Sequence, residues 1–133
     1  MNVIVCLDDK QGMLFHKRRQ SRDGNVIKNI EEITEELWIN PFSEALFSDS
    51  SCSIKSDKDY LEKAGKNEFC FVEADAIYPY ISKMEQIIVY KWNRHYPADF
   101  KFDVPLGNWI LIDKIDFVGT SHENITRETY VKG

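Results

Sequence analysis

The chain has 133 residues, 43% of them hydrophobic, with 8 Phe, 6 Tyr and 3 Trp. That is enough for one packed α/β domain over 1–133, and too apolar and aromatic for a disordered chain. The formal charge of −5 argues against broad, sequence-independent nucleic-acid binding, which needs a basic face.

Cys6, Cys52 and Cys70 form an odd set with no CxxC or Cys/His zinc spacing, so neither a thiolate metal site nor a disulfide frame is expected. The first apolar stretch stops at Asp8-Asp9, too short for a signal peptide, and no run reaches the roughly 18 apolar residues of a spanning helix. The expectation is a reduced, cytoplasmic protein with no membrane partner.

Val3-Ile4-Val5-Cys6-Leu7 is continuous and apolar, the pattern of a strand covered on both faces. Gly12 opens a turn, and His16-Lys17-Arg18-Arg19-Gln20-Ser21-Arg22-Asp23 follows as a basic loop. Asp23 is suited to cap a helix in which Val26, Ile27, Ile30 and Ile33 share one face. Leu37-Trp38-Ile39 reads as a short buried strand. Asn40-Pro41 reads as an N-cap followed by a first-turn proline, opening a short helix to Phe47.

Residues 48–56 are polar and Ser-rich and read as a flexible loop. Ser56 and Asp59 resemble a capping box for a brief helix that Gly65 ends. Phe69-Cys70-Phe71-Val72 is a third buried strand. Ile77, Tyr80, Ile81 and Met84 then recur at helical spacing, with Pro79 near the first turn. Residues 86–92, 109–117 and 125–131 have strand character, the last two joined through Gly119. This order predicts crossover units around a mostly parallel sheet, with an antiparallel hairpin added at its C-terminal edge.

In layout the chain is similar to the dihydrofolate reductases, over most of its length except residues 48–68. Members of that family open with an apolar strand, an Asp-x-x-x-Gly turn, a mobile loop and a helix carrying the active-site carboxylate. Here Asp8 or Asp9, Gly12, the basic loop and Asp23 stand in that order. Phe71-Val72-Glu73-Ala74-Asp75-Ala76-Ile77-Tyr78 resembles the strand, glycine pair and helix that hold the nicotinamide cofactor. Ala98-Asp99-Phe100-Lys101-Phe102 resembles the family's Gly-Asp-x-x-Phe stretch. The resemblance implies a three-layer α/β fold with a mixed central sheet.

Three departures separate this chain from the family's chemistry. Glu73-Ala74 replaces the two glycines that let backbone approach the cofactor, and an anionic side chain there obstructs a pyrophosphate. The segment between Phe47 and Phe69 is short, and no Pro-Trp follows the first loop. NADPH-dependent reduction is therefore not expected, and no cofactor is assigned.

The chain also resembles a group of short bacterial proteins sharing Gly12-Met13-Leu14-Phe15, Arg18 to Asp23, Lys91-Trp92-Asn93-Arg94 and Ser121-His122-Glu123, some of which carry a ribonuclease Z label. The two-zinc core of that enzyme requires an HxHxDH cluster. His16, His95 and His122 lie too far apart in sequence to supply one.

Chemistry is read at four places. Arg18, Arg19 and Arg22 suit a phosphate or carboxylate, with Asp23 as a carboxylate facing the same cleft. Glu73 and Asp75 sit at a strand end, where α/β sheets place their ligands. Asn93 and Arg94 lie among aromatics that suit a ring. His122, in the last turn, is a candidate acid or base alongside Asp23.

The favoured reading is a small-molecule-binding protein taking a nucleotide- or pterin-like ligand with an anionic group. An RNA or nucleotide phosphodiester-processing enzyme and a non-catalytic interaction module, including a homodimer, are the rivals.

Overall fold

A computed structural model describes residues 1–133. Five parallel strands form most of the main sheet: β1 (Asn2–Leu7), β4 (Glu36–Ile39), β5 (Ser53–Ser56), β6 (Phe69–Phe71) and β7 (Gln86–Lys91). The hairpin of β9 (Trp109–Phe117) and β10 (Ile125–Lys132) completes it, with β10 antiparallel to β7, giving the order β5-β4-β6-β1-β7-β10-β9.

The side-chain alternation of β1 divides the core. Val3, Val5 and Leu7 face one side with Ile87 and Val89 of β7, while Ile4 faces the other with Ile88 and Tyr90. Helix α1 (Gly24–Ile33) covers the Ile4 face through Val26 and Ile30. The short helix α2 (Tyr60–Lys63), through Tyr60 and Leu61, and the flanking residues Ile77 and Met84 cover the opposite face. Burial on both faces is why these strands read as unbroken apolar runs. No helix is long and apolar enough to cross a membrane.

Several local readings need correction. The segment after Gly12 is a β-hairpin, with β2 (Gly12–Phe15) paired to β3 (Arg18–Arg19) through left-handed His16 (φ 51°) and Lys17 (φ 63°). Both turn residues are L-amino acids at positive φ, where asparagine and glycine usually advertise such a turn, so the sequence carried no signal for it. The Ser-rich stretch contains β5, an edge strand whose polar composition hides its pairing to β4. Asp59 begins α2 without a side-chain cap, and its own N–H donates to Asp57 instead, so the capping box is absent. The helices at Pro41–Phe47 and Tyr78–Lys83 are 3-10 in type, and β8 (Phe100–Lys101) is a further two-residue strand paired to β2.

Candidate functional site

The parallel strands end at an edge where the β2–β3 hairpin, the N-terminus of α1, the Pro41–Phe47 helix and the β9–β10 turn meet. Asp8, at the end of β1, anchors this edge. One of its oxygens accepts from the N–H groups of Lys10 and Gly12, and the other from Gln20 Nε2 and the N–H of Tyr96. Burial opposes ionisation of Asp8, but those donors outweigh it and hold its carboxyl below the usual carboxylate range. Gly12 is required at this knot: a Cβ there would come within 2.6 Å of Ala98 Cβ and 2.9 Å of Asp8 Oδ2.

Asp23 caps α1 as its sequence position implies, accepting from Asn25 N–H at 2.9 Å. The β9–β10 turn folds down onto the same carboxylate. Thr120 donates its N–H and hydroxyl to Oδ1, and Ser121 does the same to Oδ2. His122 Nδ1 lies 3.0 Å from Oδ2, and both side chains are almost wholly buried. Burial works against the charge on Asp23, yet this set of donors drives its pKa far below the ordinary value. A Cβ at Gly119 would collide with the Asp23 carboxylate and with Ile125, so the turn closes only over a glycine.

The cleft beside this cap encloses about 400 Å³, counted to its open mouth. Its apolar wall includes Met13, Val26, Ile27, Leu46, Phe71 and Trp92, and its polar groups are Arg19, Gln20, Ser21, Arg22, Asp23 and Glu73. Most of that space is crevice or open solvent, and the cleft itself has room for about one water molecule. Arg19 and Glu73 span the cleft in a two-pronged ion pair at 2.7 and 2.8 Å, and buried Ser43 donates to the same carboxylate at 2.6 Å. The Glu73 hydrogen bond, ahead of the opposing burial, raises the pKa of Arg19. The Arg19 guanidinium also lies 5.3 Å from the centre of the Phe42 ring.

Arg19, Arg22, Asp23 and Glu73 are thus brought together around one cleft. Arg18 is exposed and lies outside its lining. Asp75 accepts from Asn40 Nδ2 and the Tyr60 hydroxyl, tying together elements away from the cleft wall. Asn93 (φ 57°) closes a turn, its amide donating to Asn124 O and Thr126 Oγ1, and Arg94 is exposed with its carbonyl accepting from Asp9 N–H. From that segment it is Trp92 and Tyr96 that reach the site. Trp92 stacks on His122 with centroids 4.6 Å apart, and the Tyr96 hydroxyl is 3.1 Å from His122 Nε2.

Ser21, like Tyr96, is a residue that the sequence did not mark for this site. Its Oγ lies 3.1 Å from His122 Nε2, and it lines the cleft. No pattern could have paired it with a histidine 101 positions away. No three His, Cys, Asp or Glu side chains converge in a geometry that could hold a metal ion.

This architecture defines an α/β domain of the dihydrofolate reductase fold. A solved dihydrofolate reductase from Enterococcus faecalis, complexed with NADP(H) and RAB-propyl, is similar to it with a TM-score of 0.69 at 12% identity. The match covers 100% of this chain and 96% of that one. No protein-family model matches the sequence. No curated protein matches it either. The likeness is one of fold.

The residues present do not fit a dinucleotide at the end of β6. Where the family's glycine pair leaves backbone bare, the Glu73 carboxylate is fastened to Arg19 and Ser43 and fills the approach.

Proposed function

We propose that this chain binds a small molecule carrying an anionic group in the cleft at the carboxyl edge of its sheet. A nucleotide- or pterin-like ring lies against Val26, Ile27, Leu46 and Trp92, and the anion meets Arg22 and Arg19. The observation that carries this reading is the placing of Arg19 and Arg22, with the Asp23 and Glu73 carboxylates, on a cleft wall that is more than half apolar. The arginine ion pairs in the molecule are Arg19–Glu73 and Arg127–Asp113, so the Arg22 charge is uncommitted. Arg19 is held by Glu73, and a phosphate or carboxylate competes for the same two-pronged donor face.

Entry of a ring into so tight a cleft requires the Arg19–Glu73 bridge to swing aside. The ligand therefore both opens the cleft and replaces the carboxylate that it displaces.

Thermal denaturation with adenosine monophosphate, pterin-6-carboxylate and inorganic phosphate tests the reading. An organic probe at about 100 times its Kd stabilises the chain by about 2.7 kcal/mol. The expected result is an upward shift with a submillimolar nucleotide or pterin that disappears in the Arg19→Ala, Arg22→Ala double variant. No shift across nucleotides and pterins rejects it.

A further inference from the structure

Ser21 Oγ, His122 and Asp23 form a hydrogen-bonded series, with 3.1 Å from Ser21 Oγ to Nε2 and 3.0 Å from Nδ1 to Asp23 Oδ2. An ionised carboxylate can only accept, so Asp23 takes the proton on Nδ1 and leaves Nε2 with its lone pair toward Ser21. Trp92 lies 21° from parallel with the imidazole and clamps the ring plane. The His122 and Asp23 side chains are 2% and 0% exposed, whereas Ser21 is half-buried and belongs to the cleft wall. Ser21 and Asp23 both belong to the cleft wall, and the imidazole that joins them is buried behind it.

We propose that Ser21 is a nucleophile and that this cleft hydrolyses an activated acyl ester of a small molecule. The inference rests on the binding reading above and assigns that ligand a reactive carbonyl. Ser21 Oγ attacks the carbonyl carbon, and a carbon–Oγ bond forms as the hydroxyl proton passes to His122 Nε2. The tetrahedral intermediate collapses with cleavage of the bond from carbon to the leaving oxygen, which takes the proton back from His122. Water, deprotonated by His122, then cleaves the Ser21 ester, releasing the carboxylic acid and restoring the hydroxyl. Arg22, with no ion partner, is the cation available to the oxyanion. Asp23 is a positioning residue throughout.

The Tyr96 hydroxyl lies 3.1 Å from the same Nε2. That nitrogen has one lone pair, so the two hydroxyls compete for it. Tyr96→Phe leaves Ser21 as the sole donor.

The test is covalent labelling of the full chain by an alkyl fluorophosphonate, which transfers its phosphonyl group to an activated serine with loss of fluoride. Intact mass and peptide mapping are expected to show one adduct, at Ser21. It is abolished in Ser21→Ala and formed at least as fast in Tyr96→Phe. Where His122→Gln retains a cooperative melt, its labelling is expected to be slowed at least 100-fold. An unlabelled wild-type chain, an adduct elsewhere, or equal labelling in folded His122→Gln overturns the proposal. Ligand-induced thermal stabilisation without a Ser21 adduct overturns the nucleophile and leaves the binding reading standing. A Ser21 adduct with no nucleotide or pterin shift does the reverse.

Discussion

His122 Nδ1 lies 3.0 Å from Asp23 Oδ2, although 99 positions separate them in the chain. This contact joins the start of α1 to the turn between the last two strands, and with it the two ends of the fold. Thr120 and Ser121 bring four more donors to the same carboxylate, so one aspartate holds the turn against the helix. Asp23→Asn replaces an acceptor-only carboxylate with an amide whose NH₂ faces donors. The expected loss is about 2–4 kcal/mol, measured by urea denaturation. A loss below about 0.5 kcal/mol would show that the carboxylate does not hold the turn against the helix.

The same carboxylate sets an acid dependence. The folded pKa of Asp23 is depressed below its ordinary 3.8, so its contribution is complete above that value and lost as pH falls beneath it. Asp8 shifts in the same direction. Wild-type stability is therefore expected to fall steeply from about pH 4 to pH 2, and less steeply in Asp23→Asn. Melting curves across that range check the sign, and parallel slopes would contradict it.

Gly119→Ala places a methyl group against the Asp23 carboxylate and 2.8 Å from Ile125 Cδ1. The turn must lift or the cap must break, at a cost of about 1–3 kcal/mol in thermal denaturation. Gly107→Ala, whose added Cβ meets nothing within 4 Å, is the control and is expected to leave stability nearly unchanged.

The Arg19–Glu73 bridge, with side-chain exposures of 23% and 10%, lies in the cleft wall and ties up the Arg19 guanidinium. Glu73→Gln removes the competing negative charge and frees the guanidinium for an incoming anion. Calorimetric titration with adenosine monophosphate is expected to show several-fold tighter binding to Glu73→Gln than to wild type. Weaker binding would show that Glu73 itself holds the ligand.

The hairpin turn offers a stabilising change. His16 and Lys17 both sit at positive φ, at 51° and 63°. Replacing them together, His16→Asn with Lys17→Gly, supplies residues that tolerate this backbone and is expected to stabilise the chain by about 1 kcal/mol. An unchanged or lower melting temperature would contradict this assignment of the turn.

The large elements were legible because burial on both sheet faces writes itself as apolar runs, as in the strands at Val3-Ile4-Val5 and Phe69-Cys70-Phe71. The caps at Asp23 and Asn40 were legible because their chemistry is local, and both accept from the N–H two residues on. The hairpin at His16-Lys17 was not, because its conformation is imposed by pairing rather than by turn residues. Of the site, the sequence marked Arg19, Arg22, Asp23, Glu73 and His122 as polar groups at strand and helix ends. It could not mark Ser21 or Tyr96, whose roles come from contacts with His122 across 101 and 26 positions. Nor could it show that Arg19 and Glu73, read as separate ligand contacts, would bind each other.

The central claim is that the cleft at the carboxyl edge receives an anionic small molecule. Titration of ¹⁵N-labelled chain with adenosine monophosphate and pterin-6-carboxylate, followed through backbone amide shifts, tests it most directly. Saturable shifts at Ser21, Arg22, Glu73 and Ala74, with β9 unmoved, are the expected result. Shifts confined to β9, or none that saturate for either probe, would contradict it.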